Sequence, residues 1–230
     1  MVENYQSKTK TPLNLILKDN ERLFGMDALQ KKSRFPNLVF SHMHEFVGKH
    51  YKSEAVRTFM RDYLFNIEYN EDEVYYLYLN WINLLLFKER QTFLFKVNFN
   101  NKDLTFNIEE IFGMFFRYIK ALAKNFCGVE IIDCVVTVPS FYGYKERHSL
   151  IQAIQMSNLN LLSFVNENVA AAVNCVTENK IDVSNNKTTQ NVLFYNVGAS
   201  YTQATLVRFS NLVRQIGIRN ETVQYVNVNI

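Results

Sequence analysis

Glycine and proline are scarce, 7 and 3 in a chain of 230 residues, against averages of roughly 7% and 5%. Little glycine is left for the loops in which backbone N–H groups wrap a phosphate. Only three cysteines occur, Cys127, Cys134 and Cys175, an odd number with no C-x-x-C pair, so neither a zinc site nor a disulfide framework is indicated. Buried free thiols are expected. No apolar run is long enough to span a bilayer: Val74 to Phe87 is interrupted by Asn80 and Asn83, short of the roughly 20 residues needed. The start, Val2 to Lys8, has neither the basic nor the apolar region of a secretory leader. Charge of one sign is lacking too. With 25 Lys+Arg against 22 Asp+Glu the net charge is only +3, so no electrostatic footprint for nucleic acid is present. With 48% hydrophobic and 20% charged residues, disorder is excluded and one to two globular domains are expected.

The remaining pattern is α/β. Residues 1–10 are polar and expected to be loose. Leu13 to Leu17 alternates as a short strand, and apolar spacings on both sides of Pro36 within Gly25–Val47 predict two short helices ending near Gly48. Residues 56–106 read as a small antiparallel region with strands at Tyr63–Ile67, Val74–Leu79, Ile82–Phe87 and Thr92–Val97. At Asn107 a capping-box spacing to Glu110 opens a helix whose stripe is Ile108, Ile111, Phe112, Phe115, Tyr118, Ile119, Leu122 and Phe126, all expected in the core. Ile131–Val138 is a near-continuous apolar strand of the type buried on both faces. A helix over Lys145–Met156, a strand over Leu159–Val165 and a helix over Glu167–Val176 complete a strand–helix–strand–helix order. Beyond the polar linker Thr177–Gln190, three strands are expected at Asn191–Val197, Tyr201–Phe209 and Leu212–Ile218.

Three places could carry chemistry. His42 and His44 are clustered with Glu45, but positions two apart on a helix diverge, and surface or core histidines are the simpler reading. Glu167 stands at a strand-to-helix junction, where a carboxylate can meet a metal-bound water; a helix-starting acid needs no such role. Asn196 to Thr202 lies between two strands and either turns an ordinary hairpin or brings N–H groups to a phosphate.

Together these segments resemble the nucleotide-binding domain of the heat shock protein 70 chaperones. The resemblance covers nearly all of the chain. It rests on Thr11-Pro12 with Asn20 to Gly25; on Val136-Thr137-Val138-Pro139-Ser140-Phe141 with Arg147 beyond; on Leu159 to Leu162 followed by Asn166-Glu167-Asn168 and Val169 to Ala172; and on Asn191 to Gly198. Within the family the chain is most similar to the large endoplasmic-reticulum branch, through Lys10 to Pro12, Asp19 to Gly25, Glu89 to Phe93, Gln190 to Tyr195, and Asn168 where ordinary members have proline.

The resemblance implies an actin-like (ribonuclease-H-like) ATPase fold: residues 11–104 as the outer and 105–180 as the inner subdomain of lobe I, a linker at 181–190, and the opening strands of lobe II at 191–230. It implies ATP or ADP with Mg²⁺ as cofactor, Asn196, Gly198, Ala199, Ser200 and Tyr201 at the phosphates, Glu167 and Arg61 as catalytic residues, and Pro139 with Arg147 as a switch. No separate metal ligand is assigned. The implied role is a chaperone of protein folding and stress response, acting on unfolded clients or another heat shock protein 70. The implied compartment is the endoplasmic reticulum lumen, with the cytoplasm as the alternative. It implies no membrane span and no nucleic-acid partner.

Departures from the family pattern matter as much. The first phosphate hairpin, expected before residue 11, and the adenosine-binding part of lobe II are missing, so the chain is expected to be incomplete at both ends. In the second hairpin, Asn196 and Gln203 stand where the family has acids, and Arg61 stands where it has a lysine. Weak or no hydrolysis is therefore expected, because phosphoryl transfer depends on metal-assisted charge neutralisation. The alternative is a catalytically inert docking module or nucleotide-exchange partner.

Overall fold

The computed structural model describes residues 2–18, 21–50, 53–54, 67–69, 93–99, 102–178, 190–198, 201–213 and 221–229. They fall into two compact units, one of residues 1–134 and 142–162, the other of 135–141 and 163–230. The expected strands Val74–Leu79 and Ile82–Phe87, most of Tyr63–Ile67, and Arg61 lie outside the described residues.

In the first unit, β1 (Leu15–Lys18) and β2 (Glu21–Phe24) form an antiparallel pair with Lys18 opposite Glu21. The helix α1 (Gly25–Lys31) follows directly. Only one of the two helices expected in this region is present. Beyond Pro36, which opens a single 3-10 turn, Val39–Phe40 forms β3 on the other edge of β1, and Met43–Glu45 makes another 3-10 turn. Val39 and Phe40 are β-branched and aromatic, and His42 has φ +57, which a helix does not admit. Ile16, Ala28 and Val39 are buried together beneath Leu23, Phe35 and Leu38.

The strands β4 (Ile67–Tyr69), β5 (Phe93–Phe99) and β6 (Lys102–Asn107) form an antiparallel sheet in the order β4-β5-β6. Phe95 of β5 is buried and meets the rings of Phe40 and Phe46 edge-on, with centroids 5.8 Å and 5.3 Å away. β6 runs straight into α2 (Ile108–Cys127), whose start is the expected capping box. Asn107 Oδ1 accepts from Glu110 N at 2.8 Å, and Glu110 Oε2 accepts from Asn107 N at 2.8 Å, so two donors at the helix end are satisfied reciprocally. The stripe is buried only in part. Ile108, Ile111, Phe112, Phe115 and Leu122 are interior, whereas Ile119 and Phe126 are 50% and 58% exposed. Periodicity marks a face of the helix but not what lies opposite it.

Residues 4–10, expected to be loose, carry defined contacts. The Tyr5 ring packs edge-on against Tyr118 and its hydroxyl accepts from Asn125 Nδ2 at 3.0 Å, while Gln6 Nε2 donates to Asp27 at 2.7 Å.

The helix α3 (Tyr144–Met156) packs on α2. Gly113 makes the approach close, since a Cβ there would stand 3.2 Å from Met156 Cβ. The buried carboxylate of Glu109 accepts from Ser149 Oγ at 2.6 Å across the same interface. At its start α3 receives the segment ending at Gly48. Tyr142 Oη donates to the His44 carbonyl at 3.0 Å, Lys49 Nζ stands 2.7 Å from Glu146 Oε1, and Gly143 N donates to Glu146 Oε2 at 3.0 Å.

Burial pushes the Glu146 carboxyl up, but its hydrogen bonds with Lys49 and with backbone N–H groups outweigh this and hold it below the ordinary carboxylate value. A depressed acid contributes stability that is complete above its unfolded pKa and fades as pH falls through the folded one. Thermal melts of wild type and Lys49→Met should therefore differ most near neutral pH and converge as pH drops through the carboxylate range. A gap that stays constant with pH would refute this.

β7 (Asp133–Val138) and β8 (Asn160–Asn166), separated in sequence by α3, form a two-stranded sheet. The sequence predicts burial of β7 on both faces. Instead the strand alternates, with Asp133, Val135 and Thr137 exposed. The three cysteines are free as expected, but not buried: Cys127 is exposed, and Cys134 and Cys175 are half-buried.

In the second unit, α4 (Glu167–Thr177) precedes an antiparallel sheet of β9 (Gln190–Val197), β10 (Thr202–Val213) and β11 (Glu221–Asn229), with β10 central. Of the third expected strand, Leu212–Ile218, residues 214–218 lie outside the described residues. Leu212 and Val213 complete β10, and the partner strand begins at Glu221. Leu212 opposite Thr222 and Val213 opposite Glu221 extend the β10 ladder past the expected break.

Candidate functional site

The second unit gathers the site on one face of β10. Gln203, Thr205, Val207 and Phe209 alternate inward and are all buried, as the period of two requires. α4 lies against this strand. Its later turns supply Ala172 and Val176, which cluster with Val207 and Phe209. Its first turn supplies Glu167 and Asn168, which meet the polar end of the same face. One strand face is thus apolar under the body of α4 and polar under its start.

The polar end is a hydrogen-bonded network. Tyr201 Oη donates to the Glu167 carboxylate, 3.0 Å from Oε1 and 2.9 Å from Oε2. Gln203 Nε2 donates to Glu167 Oε2 at 3.1 Å. Gln203 Oε1 in turn accepts from Asn168 Nδ2 at 3.0 Å and from Ser140 Oγ at 3.3 Å. Asn168 Nδ2 also meets Thr205 Oγ1. Asn168, Gln203 and Thr205 are each less than a tenth exposed, and such groups are tolerated inside only when paired. Phe141, beside Ser140, sets its ring edge-on to that of Tyr201 at 5.1 Å.

The hairpin between β9 and β10 is closed by Gly198 N donating to the Tyr201 carbonyl at 2.9 Å. A Cβ at Gly198 would stand 3.1 Å from that carbonyl oxygen, so the close return favours glycine. Asn196 pairs with Gln203 in the ladder and is itself exposed. Ala199 and Ser200 lie outside the described residues.

The anticipated site residues among those described are divided between the two units. Glu167, Tyr201 and the Asn196–Gly198 strand end occur together in the second unit. Pro139 is buried in that unit as well, next to Ser140. Arg147 belongs to the first, where its Nε donates to the Tyr142 carbonyl at 2.9 Å. The sequence marks Gln203 only as a missing acid, and Asn168 only as a departure from proline. It does not single out Thr205, and it carries Ser140 only within the Val136–Phe141 motif. The available signal is the inward register of Gln203 and Thr205, two residues apart on an otherwise apolar strand face.

Mg²⁺ takes carboxylate oxygens and waters in a near-octahedral shell. Both Glu167 oxygens already accept from uncharged donors on this chain, and the other members of the network are amides and hydroxyls. No group of three or more His, Cys, Asp or Glu side chains able to hold a metal occurs among the described residues, His42 and His44 included. These residues offer no all-protein cage for Mg²⁺; Glu167 would be the single carboxylate able to hold the ion's waters beside a phosphate.

The family described as Hsp70 protein matches residues 1–218. Among curated relatives, the chain is similar to hypoxia up-regulated protein 1 of Xenopus laevis, 34% identical over 92% of this chain and 30% of that protein. It is similarly related to the proteins of that name from Gallus gallus, at 31% over 92% of this chain and 20% of the relative, and from Homo sapiens, at 31% over 91% and 19%. The chain thus spans less than a third of the length of these relatives. With nearly its full length matched, the chain belongs to the Hsp70 family, whose domain implies an actin-like ATPase fold consistent with the mixed helices and small sheets seen here.

Proposed function

We propose that this chain is part of the nucleotide-binding domain of a heat shock protein 70-like chaperone of the endoplasmic reticulum lumen, acting in ATP-dependent protein folding with weak or no hydrolysis of its own. Residues 11–104 and 105–180 are its lobe I subdomains, and 191–230 open lobe II. Its partners are unfolded clients or a second, ordinary member of the family. The family match and the hypoxia up-regulated relatives support the chaperone assignment. The engagement of Glu167 supports weak or no hydrolysis: a general base or metal-water anchor must be available to the reacting water, and here the uncharged donors of Tyr201 and Gln203 compete with that water for the carboxylate.

The same observation favours a second reading, an inert docking module or nucleotide-exchange partner that needs no ATP. Calorimetry with ATP and with ADP in Mg²⁺ on the full 230-residue chain, alongside a thermal melt, separates the two. ADP binding by the folded chain supports a nucleotide-regulated chaperone, and a folded chain without binding supports the docking module. Neither should turn over ATP above background. Mg²⁺-dependent turnover abolished by Glu167→Ala would overturn the loss of hydrolysis.

A further inference from the structure

The polar network does more than satisfy buried groups, because two of its members each hold Glu167 and the loop after β7 at once. Tyr201 puts its hydroxyl on the carboxylate and its ring against Phe141. Gln203 puts its amide nitrogen on the carboxylate and its amide oxygen at Ser140 and Asn168. A cation or a phosphate-bound water reaching Glu167 would have to compete with a hydroxyl and an amide that are themselves anchored elsewhere. Resting on the reading of a hydrolysis-deficient family member, we propose that Tyr201 and Gln203 form a built-in latch that keeps Glu167 engaged and weakens its hold on divalent cations.

The latch makes Glu167 a structural acceptor, and Tyr201 and Gln203 its positioning residues. Three properties suit them to the task. The donors are uncharged, so holding them needs no counter-ion. Gln203 is 7% exposed, so water competes poorly for its hydrogen bonds. Tyr201 follows directly on the hairpin closed through its own carbonyl at Gly198, which fixes where its side chain starts.

The test uses Mn²⁺ alone as the probe and the side-chain ¹³C-carboxyl resonance of Glu167, identified by its loss in Glu167→Gln. In Tyr201→Phe, which keeps the ring on Phe141 and deletes only the hydroxyl, that resonance should move. In Tyr201→Phe/Gln203→Asp, Mn²⁺ should broaden it at concentrations at least ~10-fold lower than in wild type, a carboxylate being the ligand type such ions prefer. An unmoved Glu167 resonance in Tyr201→Phe would overturn the latch. So would a wild-type resonance as sensitive to Mn²⁺ as that of the double variant. ATP turnover by wild type would sink the reading of lost hydrolysis, whereas an inert wild type with an unmoved Tyr201→Phe resonance would sink the latch alone.

Discussion

Gly48→Ala should destabilise the first unit by about 2–5 kcal/mol, the sum of two costs: the left-handed conformation, about 1–2 kcal/mol for a residue with a Cβ, and overpacking, typically about 1–3 kcal/mol. Gly48 has φ +64, and a Cβ built there would lie 2.5 Å from Glu146 N, 2.6 Å from Glu146 Cα and 2.6 Å from the Lys145 carbonyl carbon. All three neighbours are backbone atoms at the start of a helix and cannot turn aside as a side-chain tip could. Gly128→Ala separates the two costs. Gly128 caps α2 with φ +72, and a methyl group there would meet nothing within 4 Å, so it should lose only the conformational part. In a chain of this size each kcal/mol lowers the melting temperature by roughly 2–4 °C. Equal losses in the two variants would refute the close approach of residue 48 to α3.

That approach also shows which parts of the structure the sequence could announce. Gly48 is readable as a helix stop, because a glycine after apolar spacings commonly ends a helix. Its real neighbours lie nearly a hundred positions away in the chain, and no local pattern encodes them. The start of α2 is legible to the residue, since Asn107 and Glu110 satisfy one another within a single turn. The further half of its apolar stripe misleads, because Ile119 and Phe126 obey the same period as the buried residues yet face outward.

The candidate site divides along the same line. The family motifs mark the positions of Glu167 and Gly198, and the hairpin closes where they imply. Sequence can state that Asn196 and Gln203 are not acids, but not what the amides do instead. Gln203 becomes a donor to Glu167 only because α4 sets its first turn over the inward face of β10, a relation fixed by packing between residues 36 positions apart. Asn168 is the instructive case. As a departure from proline it carries no chemistry, and in the fold it supplies the amide that pairs with both Gln203 and Thr205.

Phe209→Ala should cost the second unit about 3–5 kcal/mol, the usual loss for a buried phenylalanine truncated to alanine. Phe209 is fully buried, clusters with Ala172 and Val207 beneath Val176 and Val192, and meets the Phe194 ring at 6.3 Å. Ala172 has only a methyl group, with no rotamer by which to follow the retreating ring, so the contact between α4 and β10 must either shift or leave a cavity. The consequence reaches the site through the rigidity of one helix. Ala172 and Asn168 are one helical turn apart on the same side of α4, and a helix that settles toward the vacated space must shift Asn168 against Gln203 and Thr205. Phe209→Ala should therefore both lower the melting temperature and move the Glu167 carboxyl resonance, although residue 209 lies at the apolar end of the strand face, away from that carboxylate. Leu193→Ala is the matched control: it lies on β9 of the same sheet but is 60% exposed, and it should do neither. A Phe209→Ala variant that melts like Leu193→Ala would disprove the seating of α4 on this strand. One that melts early with an unmoved Glu167 resonance would keep the core and reject its control over the polar network.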